Sequence, residues 1–165
     1  MKILGVDPSL RSTGYGLIEA CGNEMCAVVY GEIKNRPDIL PSRCLVSIGD
    51  TITRLVEEHR PDALAIEGLV YVQNTQIAFT LGQVRGVIIA AVAKNNVPAY
   101  EYAPRKVKQS VTGLGAAGKE QVANMVKALL GLKEVPPADA GDALALAICH
   151  AQSLRGIQLH PAKQI

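Results

Sequence analysis

Aromatic side chains are scarce in this chain. It has no tryptophan, one phenylalanine and five tyrosines among 165 residues. The core must therefore be built from Val, Ile, Leu and Ala, and few residues are available to stack on nucleic-acid bases. Cysteine pairs at metal or redox spacing are also missing. Cys21, Cys26, Cys44 and Cys149 form no C-x-x-C motif, and a chain of this size has no need of disulfide staples. They read as reduced thiols in a cytoplasmic protein. His59, His150 and His160 are too scattered to suggest a metal cage. No uninterrupted apolar run reaches the roughly 18 residues that span a bilayer, so no membrane partner is expected. Asp7 breaks the apolar N-terminal stretch where a signal peptide would continue, so no secretory leader is expected.

What is present suits one globular domain. Hydrophobic residues make up 48% and charged residues 19%, enough to bury a core and too apolar for wholesale disorder. The net charge of +2 hides an uneven distribution. Between Arg85 and Lys133 there are eight basic residues against Glu101 and Glu120, a local net of +6, which leaves −4 for the rest. A basic segment beside an acidic remainder suits a polyanion-binding face next to a carboxylate-built site. An ordinary solvated surface has the same charge pattern, and charge alone does not separate the two.

Apolar periodicity predicts three early strands, at residues 2–7, 14–18 and 26–33, joined by short turns. Spacings of three and four predict a helix from Pro41 to about His59, with Leu40, Leu45, Ile48, Ile52, Leu55 and Val56 apolar. A strand at 63–67 follows, then a helix over 74–94, with Ile77, Ala78, Leu81, Val84, Ile88 and Ala91 as its apolar positions. The rest predicts a short strand at 98–102 and helices from Pro104, Lys119 and Ala138. The expectation is one α/β domain over 1–155, a five-stranded mixed sheet flanked by helices on both faces, with a frayed tail at 156–165.

Four acids stand at element ends among apolar neighbours. Asp7 and Glu67 each end an apolar strand. Asp139 and Asp142 sit three apart at the start of the last helix, so they share a face. Each alone has a bland reading: a turn at Asp7-Pro8, a helix-dipole acid at Asp139, a solvated strand end at Glu67. If the two strands are neighbours and the last helix crosses their ends, all four converge. Two like charges about 4 Å apart repel by roughly 4 kcal/mol at an effective dielectric of 20, and nothing local supplies a fixed cation beside each acid. All-oxygen ligands favour Mg²⁺ or Mn²⁺. Two such ions about 3.5–4 Å apart would run phosphodiester hydrolysis, one activating water and the other stabilising the leaving oxygen.

Two motifs point elsewhere. Gly113-x-x-x-x-Gly118-Lys119 resembles a Walker A loop, but Glu120 stands where the hydroxyl residue belongs and no buried strand precedes it. Asp7-Pro8-Ser9 with Gly14-Tyr15-Gly16 resembles the phosphate hairpin of actin-like ATPases, yet 165 residues are too few for both halves of that fold.

Asp7-Pro8-Ser9 through Gly14-Tyr15-Gly16, Ala65-Ile66-Glu67, Leu81-Gly82-Gln83-Val84-Arg85-Gly86-Val87, Val107-Lys108-Gln109 and Asp139-Ala140-Gly141-Asp142-Ala143-Leu144-Ala145 together resemble the RuvC crossover junction endodeoxyribonucleases. The motifs occur in order over roughly residues 2–152. The resemblance implies a ribonuclease-H-like fold and a homodimer. It implies Mg²⁺-dependent paired nicking of four-way (Holliday) DNA junctions, leaving 5′-phosphates, in recombination and repair. Two Mg²⁺ per subunit, replaceable by Mn²⁺, would be held by Asp7, Glu67, Asp139 and Asp142. Lys108 and Lys119 match basic residues that meet the DNA backbone near the scissile phosphate, and Lys119 also becomes a candidate for steadying developing charge. Arg105 and Lys106 extend the basic DNA-binding set. The implied partners are the RuvA junction-binding protein and the RuvB branch-migration motor. The sequence departs from the family pattern at Ser9 (usually glycine), Gly68 (usually polar) and Val70. Val70 falls where a phenylalanine usually presses on the bases, and Tyr71 is next in line for that role. Gly82, Gly86 and Ala90 are spaced by four on one helix, which suits either a second subunit or packing on the chain's own sheet. The alternative is a ribonuclease-H-like nuclease or nucleic-acid-binding regulator acting on RNA or other branched DNA.

Overall fold

The structure, a computed structural model, describes residues 1–68, 74–154 and 163–165. Strand β1 (Lys2–Asp7) pairs antiparallel with β2 (Ser12–Cys21), and β2 pairs antiparallel with β3 (Glu24–Lys34). Helix α1 (Pro41–His59) then leads to β4 (Ala63–Glu67), which returns parallel to β1. Helix α2 (Thr75–Ala93) leads to β5 (Ala99–Tyr102), parallel to β4. The chain continues through α3 (Pro104–Thr112), α4 (Lys119–Leu129) and α5 (Ala138–Ser153). The sheet order is β3-β2-β1-β4-β5-β6.

The sheet therefore has six strands among the described residues, not five. The addition is β6, Lys163–Gln164, which pairs antiparallel with β5 through Tyr100–Gln164 and Glu101–Lys163. Two polar residues carry no alternation signal, and only the open edge of β5 makes them a strand. Of the expected frayed tail, residues 156–162 lie outside the described residues.

Side-chain alternation divides the strands between two cores. Leu4, Val6, Leu17, Leu64 and Ile66 face α1 and α2, packing with Ile48, Ile52, Val84 and Ile88. Ile3, Ile18 and Ala65 face the other side, under α3, α4 and α5, with Val107, Val126, Leu144 and Ile148. Each fully buried Leu or Ile contributes about 1.5–3 kcal/mol relative to exposure. Two apolar positions expected to be internal are not: Leu40 caps α1 and Ile77 opens α2, and both are exposed.

Among the described residues, α2 alone is long and apolar enough by composition to cross a bilayer. Gln76, Thr80, Gln83 and Arg85 interrupt its run in the sequence. Val84, Ile88 and Val92 fasten it into the core. Asn74 caps it, its side chain accepting from the backbone N–H groups of Gln76 and Ile77.

The position of α5 depends on missing side chains below it. A Cβ on Gly5 would overlap the carbonyl oxygen of Ala143, and one on Gly14 would overlap that of Asp139. A Cβ on Gly16 would stand 2.6 Å from the Leu144 side chain. With alanines at 140, 143 and 147 above this glycine floor, the helix backbone lies directly on β1 and β2. That contact brings Asp139 and Asp142 to the strand ends.

Candidate active site

Alternation along β1 puts Asp7 on the same face as Ile3, towards α5. Alternation along β4 puts Glu67 on the same face as Ala65. The parallel pairing runs to Val6–Ile66, so Asp7 and Glu67 stand side by side one residue beyond it. Asp142 reaches them from α5. These three line one cleft of about 310 Å³ with Lys108 of α3 and Lys119 of α4, floored by Val107, Val122 and Leu146.

The electrostatics show crowding. Asp7 is pushed up to about 7, mainly by burial, then by the carboxylates of Glu67, Asp142 and Asp139. A side-chain hydrogen bond with Glu67 also favours the protonated form of Asp7. Burial also raises Glu67, opposed by that hydrogen bond and by the charges of Lys119 and Arg85. Burial raises Asp142 as well, and Lys119 opposes it. The Lys119 ammonium lies 3.8 Å from the Asp142 carboxylate. Lys119 is thus a cation beside one of the acids, which the local sequence did not supply.

Asp139 takes a different place. Its carboxylate accepts a hydrogen bond from the Ser12 hydroxyl, and its backbone N–H donates to Glu32 at 3.4 Å. It acts on Asp7 through charge and does not line the cleft. Among the described residues, no three of the acids are already drawn around one point. The donor set is nonetheless all oxygen, and burial followed by the neighbouring carboxylates makes a second negative charge at Asp7 costly near neutral pH. Hard divalent cations fit that chemistry.

Arg105 and Lys106 lie on the exposed side of α3, outside the cleft lining. Val70 and Tyr71 fall outside the described residues. Gly113–Gly118 joins two helices and follows no strand, in agreement with the rejection of a Walker A loop. Arg85 belongs to no DNA-facing surface: it is 6% exposed and buried in the core side of α2. Ser12 and Glu32 escaped the sequence reading, and Arg85 and Glu101 entered it without a role beside the acids. For Arg85 a signal existed, a single cation beside Val84 in an otherwise apolar helix.

The Gly82, Gly86 and Ala90 stripe does not pack on the sheet. Among the described residues, a Cβ on Gly82 or Gly86 would meet nothing within 4 Å, and the buried residues of α2 are Val84, Arg85, Ile88, Ala91 and Val92. Phe79 stands beside the stripe, 72% exposed.

The sequence matches the family Crossover junction endodeoxyribonuclease RuvC over residues 3–150. It is 45% identical to the RuvC of Pelotomaculum thermopropionicum, over 92% of this chain and 93% of that one. It is 47% identical to the RuvC of Moorella thermoacetica, over 92% and 91%. Among solved structures, T. thermophilus RuvC in complex with Holliday junction substrate superposes with a TM-score of 0.92 at 31% identity, covering 100% of this chain and 99% of that one. The yeast mitochondrial Holliday junction resolvase Ydc2 shares the fold at 14% identity. The match spans both acidic strand ends, both lysines of the cleft and the paired aspartates of α5, and the chain belongs to the RuvC family of crossover junction endodeoxyribonucleases.

Proposed function

We propose that this protein is a divalent-metal-dependent endonuclease that resolves four-way DNA junctions in the cytoplasm by paired symmetric nicks leaving 5′-phosphates. The observation that carries the reading is the cleft itself, where Asp7, Glu67 and Asp142 face Lys108 and Lys119. Carboxylates on one wall and ammonium groups on the other suit a phosphodiester held against a metal centre.

Two Mg²⁺, or Mn²⁺ in their place, would supply Lewis-acid charge at the scissile phosphate and would lower the pKa of the attacking water. Asp7, Glu67 and Asp142 would hold them, with Asp139 joining after release from Ser12. With Asp7 ionised, its carboxylate and that of Glu67 would both be available as ligands. Lys119 orients Asp142 and steadies negative charge that develops on the phosphate. Lys108 holds the backbone beside the scissile bond, and Arg105 and Lys106 extend the basic track along α3.

The working form is a homodimer docked through α2. The outward Gly82, Gly86 and Ala90 stripe beside exposed Phe79 supports this, because it leaves an apolar face uncovered. Two-fold symmetry gives one cleft for each of two strands. RuvA and RuvB are its expected partners on the junction.

The test incubates the protein with labelled four-way junction, linear duplex and RNA, each with Mg²⁺ and with EDTA. Symmetric nicks in the junction alone, only with Mg²⁺, are the expected result. Cutting of RNA in preference, or cutting in EDTA, rejects the proposal.

A further inference from the structure

We propose that Arg85 is a positioning residue for the active site, holding the backbone of Glu67 so that its carboxylate meets the metal. The inference rests on the reading of the cleft as a metal-dependent nuclease centre.

Arg85 occupies a costly position. A guanidinium keeps its charge under all ordinary conditions, and here it is sealed in the side of α2 that faces the sheet. Burial draws its pKa down, opposed by Glu101. Such a group persists only where its donors are used. One arm donates to the backbone carbonyl of Glu67. The other donates to the Glu101 carboxylate at 3.1 Å. Lys163 of β6 holds the second oxygen of Glu101 at 2.9 Å.

The carbonyl that Arg85 caps lies at the end of β4, where the parallel ladder runs out. Glu67 pairs with Tyr102, and the next residue, Gly68, donates its N–H to the Tyr102 carbonyl at 2.8 Å. One side of the Glu67 backbone is thus tied to β5 and the other to α2. A fork reaching two acceptors fixes the orientation of the strand end, which a single point charge cannot do. With the backbone fixed, the Glu67 side chain stays on the α5 face beside Asp7. Arg85 does not itself line the cleft and reaches it only through the Glu67 backbone. Its role therefore runs through Glu67.

The test follows Arg85→Lys in the full chain by three measurements. Mg²⁺ affinity is read from the dependence of the melting temperature on Mg²⁺ concentration, without DNA. Junction affinity is read in EDTA, and single-turnover cleavage rate in saturating Mg²⁺. Loss of the fork should weaken Mg²⁺ affinity about tenfold, the low end for groups that orient a metal ligand, and slow cleavage to a similar degree. Junction affinity in EDTA should stay within about twofold. Unchanged Mg²⁺ affinity and rate overturn the proposal. So does a lower melting temperature with Mg²⁺ affinity intact, since that marks a purely structural tie. If Arg85→Lys does not fold, Glu101→Gln decides: it keeps the arginine and the shape but loosens the fork. A weaker Mg²⁺ affinity in Glu101→Gln supports the proposal and an unchanged one overturns it. Wild-type protein that binds Mg²⁺ yet cuts no junction rejects the functional reading alone, and the Mg²⁺ titration still decides the role of Arg85.

Discussion

Asp7 and Glu67 end neighbouring parallel strands and are joined by a hydrogen bond between their side chains. Burial is the first cause of the raised pKa of Asp7, and neighbouring charge is the second. Each is half-buried, and the helix above adds two more aspartates.

The first prediction concerns pH. Asp7 ionises at about 7 in the folded protein against an ordinary value of 3.8. The folded state therefore keeps a proton that the unfolded chain releases between those values. The associated stability is complete below about pH 4 and is lost as pH rises through 7. Metal-free wild type should lose on the order of 2–4 kcal/mol across that range through this group, at 1.36 kcal/mol per pK unit. Asp7→Asn should reduce the slope, leaving the part due to Glu67 and Asp142, and abolish cleavage while leaving junction binding intact. Melts in EDTA from pH 4 to 8 provide the check, and equal slopes in both proteins would place Asp7 at its ordinary pKa.

The glycine floor gives the second. Gly14→Ala puts a methyl group into the carbonyl of Asp139 and must lift the start of α5. Overpacking of this kind costs about 1–3 kcal/mol. The displaced aspartates should slow cleavage more than tenfold, with little change in junction affinity. A variant that melts and cuts like wild type would mean that the helix end can move without consequence.

Lys108 should behave as a phosphate contact. Lys108→Ala is expected to weaken junction binding and to flatten the log–log salt dependence by about one unit. Filter binding between 50 and 200 mM salt, roughly the range over which such slopes are read, supplies the measurement. An unchanged slope would assign Lys108 to the cleft wall alone.

For the outward stripe on α2, Gly86→Glu should give monomers by light scattering. A Cβ on Gly86 meets nothing within 4 Å among the described residues, so the melting temperature of the monomer fold should change little. A persistent dimer would move the interface away from α2.

The sequence made the larger elements readable because their signals are local. Asp7 and Glu67 each close a short apolar run, and Asp139 with Asp142 mark one face of a helix rich in alanine. The supporting contacts are not local. Ser12 meets Asp139 across 127 positions of sequence, and Glu32 meets it across 107. Arg85 counted towards the basic segment, and only the fold shows that it points inward. Lys163 and Gln164 have no strand signal of their own. Gly5, Gly14 and Gly16 sit within ordinary strand patterns, and their purpose emerges only when α5 is laid over them.

That floor has a consequence for how such a protein can vary. Where a spacing is set by backbone lying on backbone, no gradual adjustment is open to it: the smallest addition, one methyl group, already exceeds the available gap. Diversity around this centre must then accumulate on the opposite wall, where long lysine stems absorb small changes by bending.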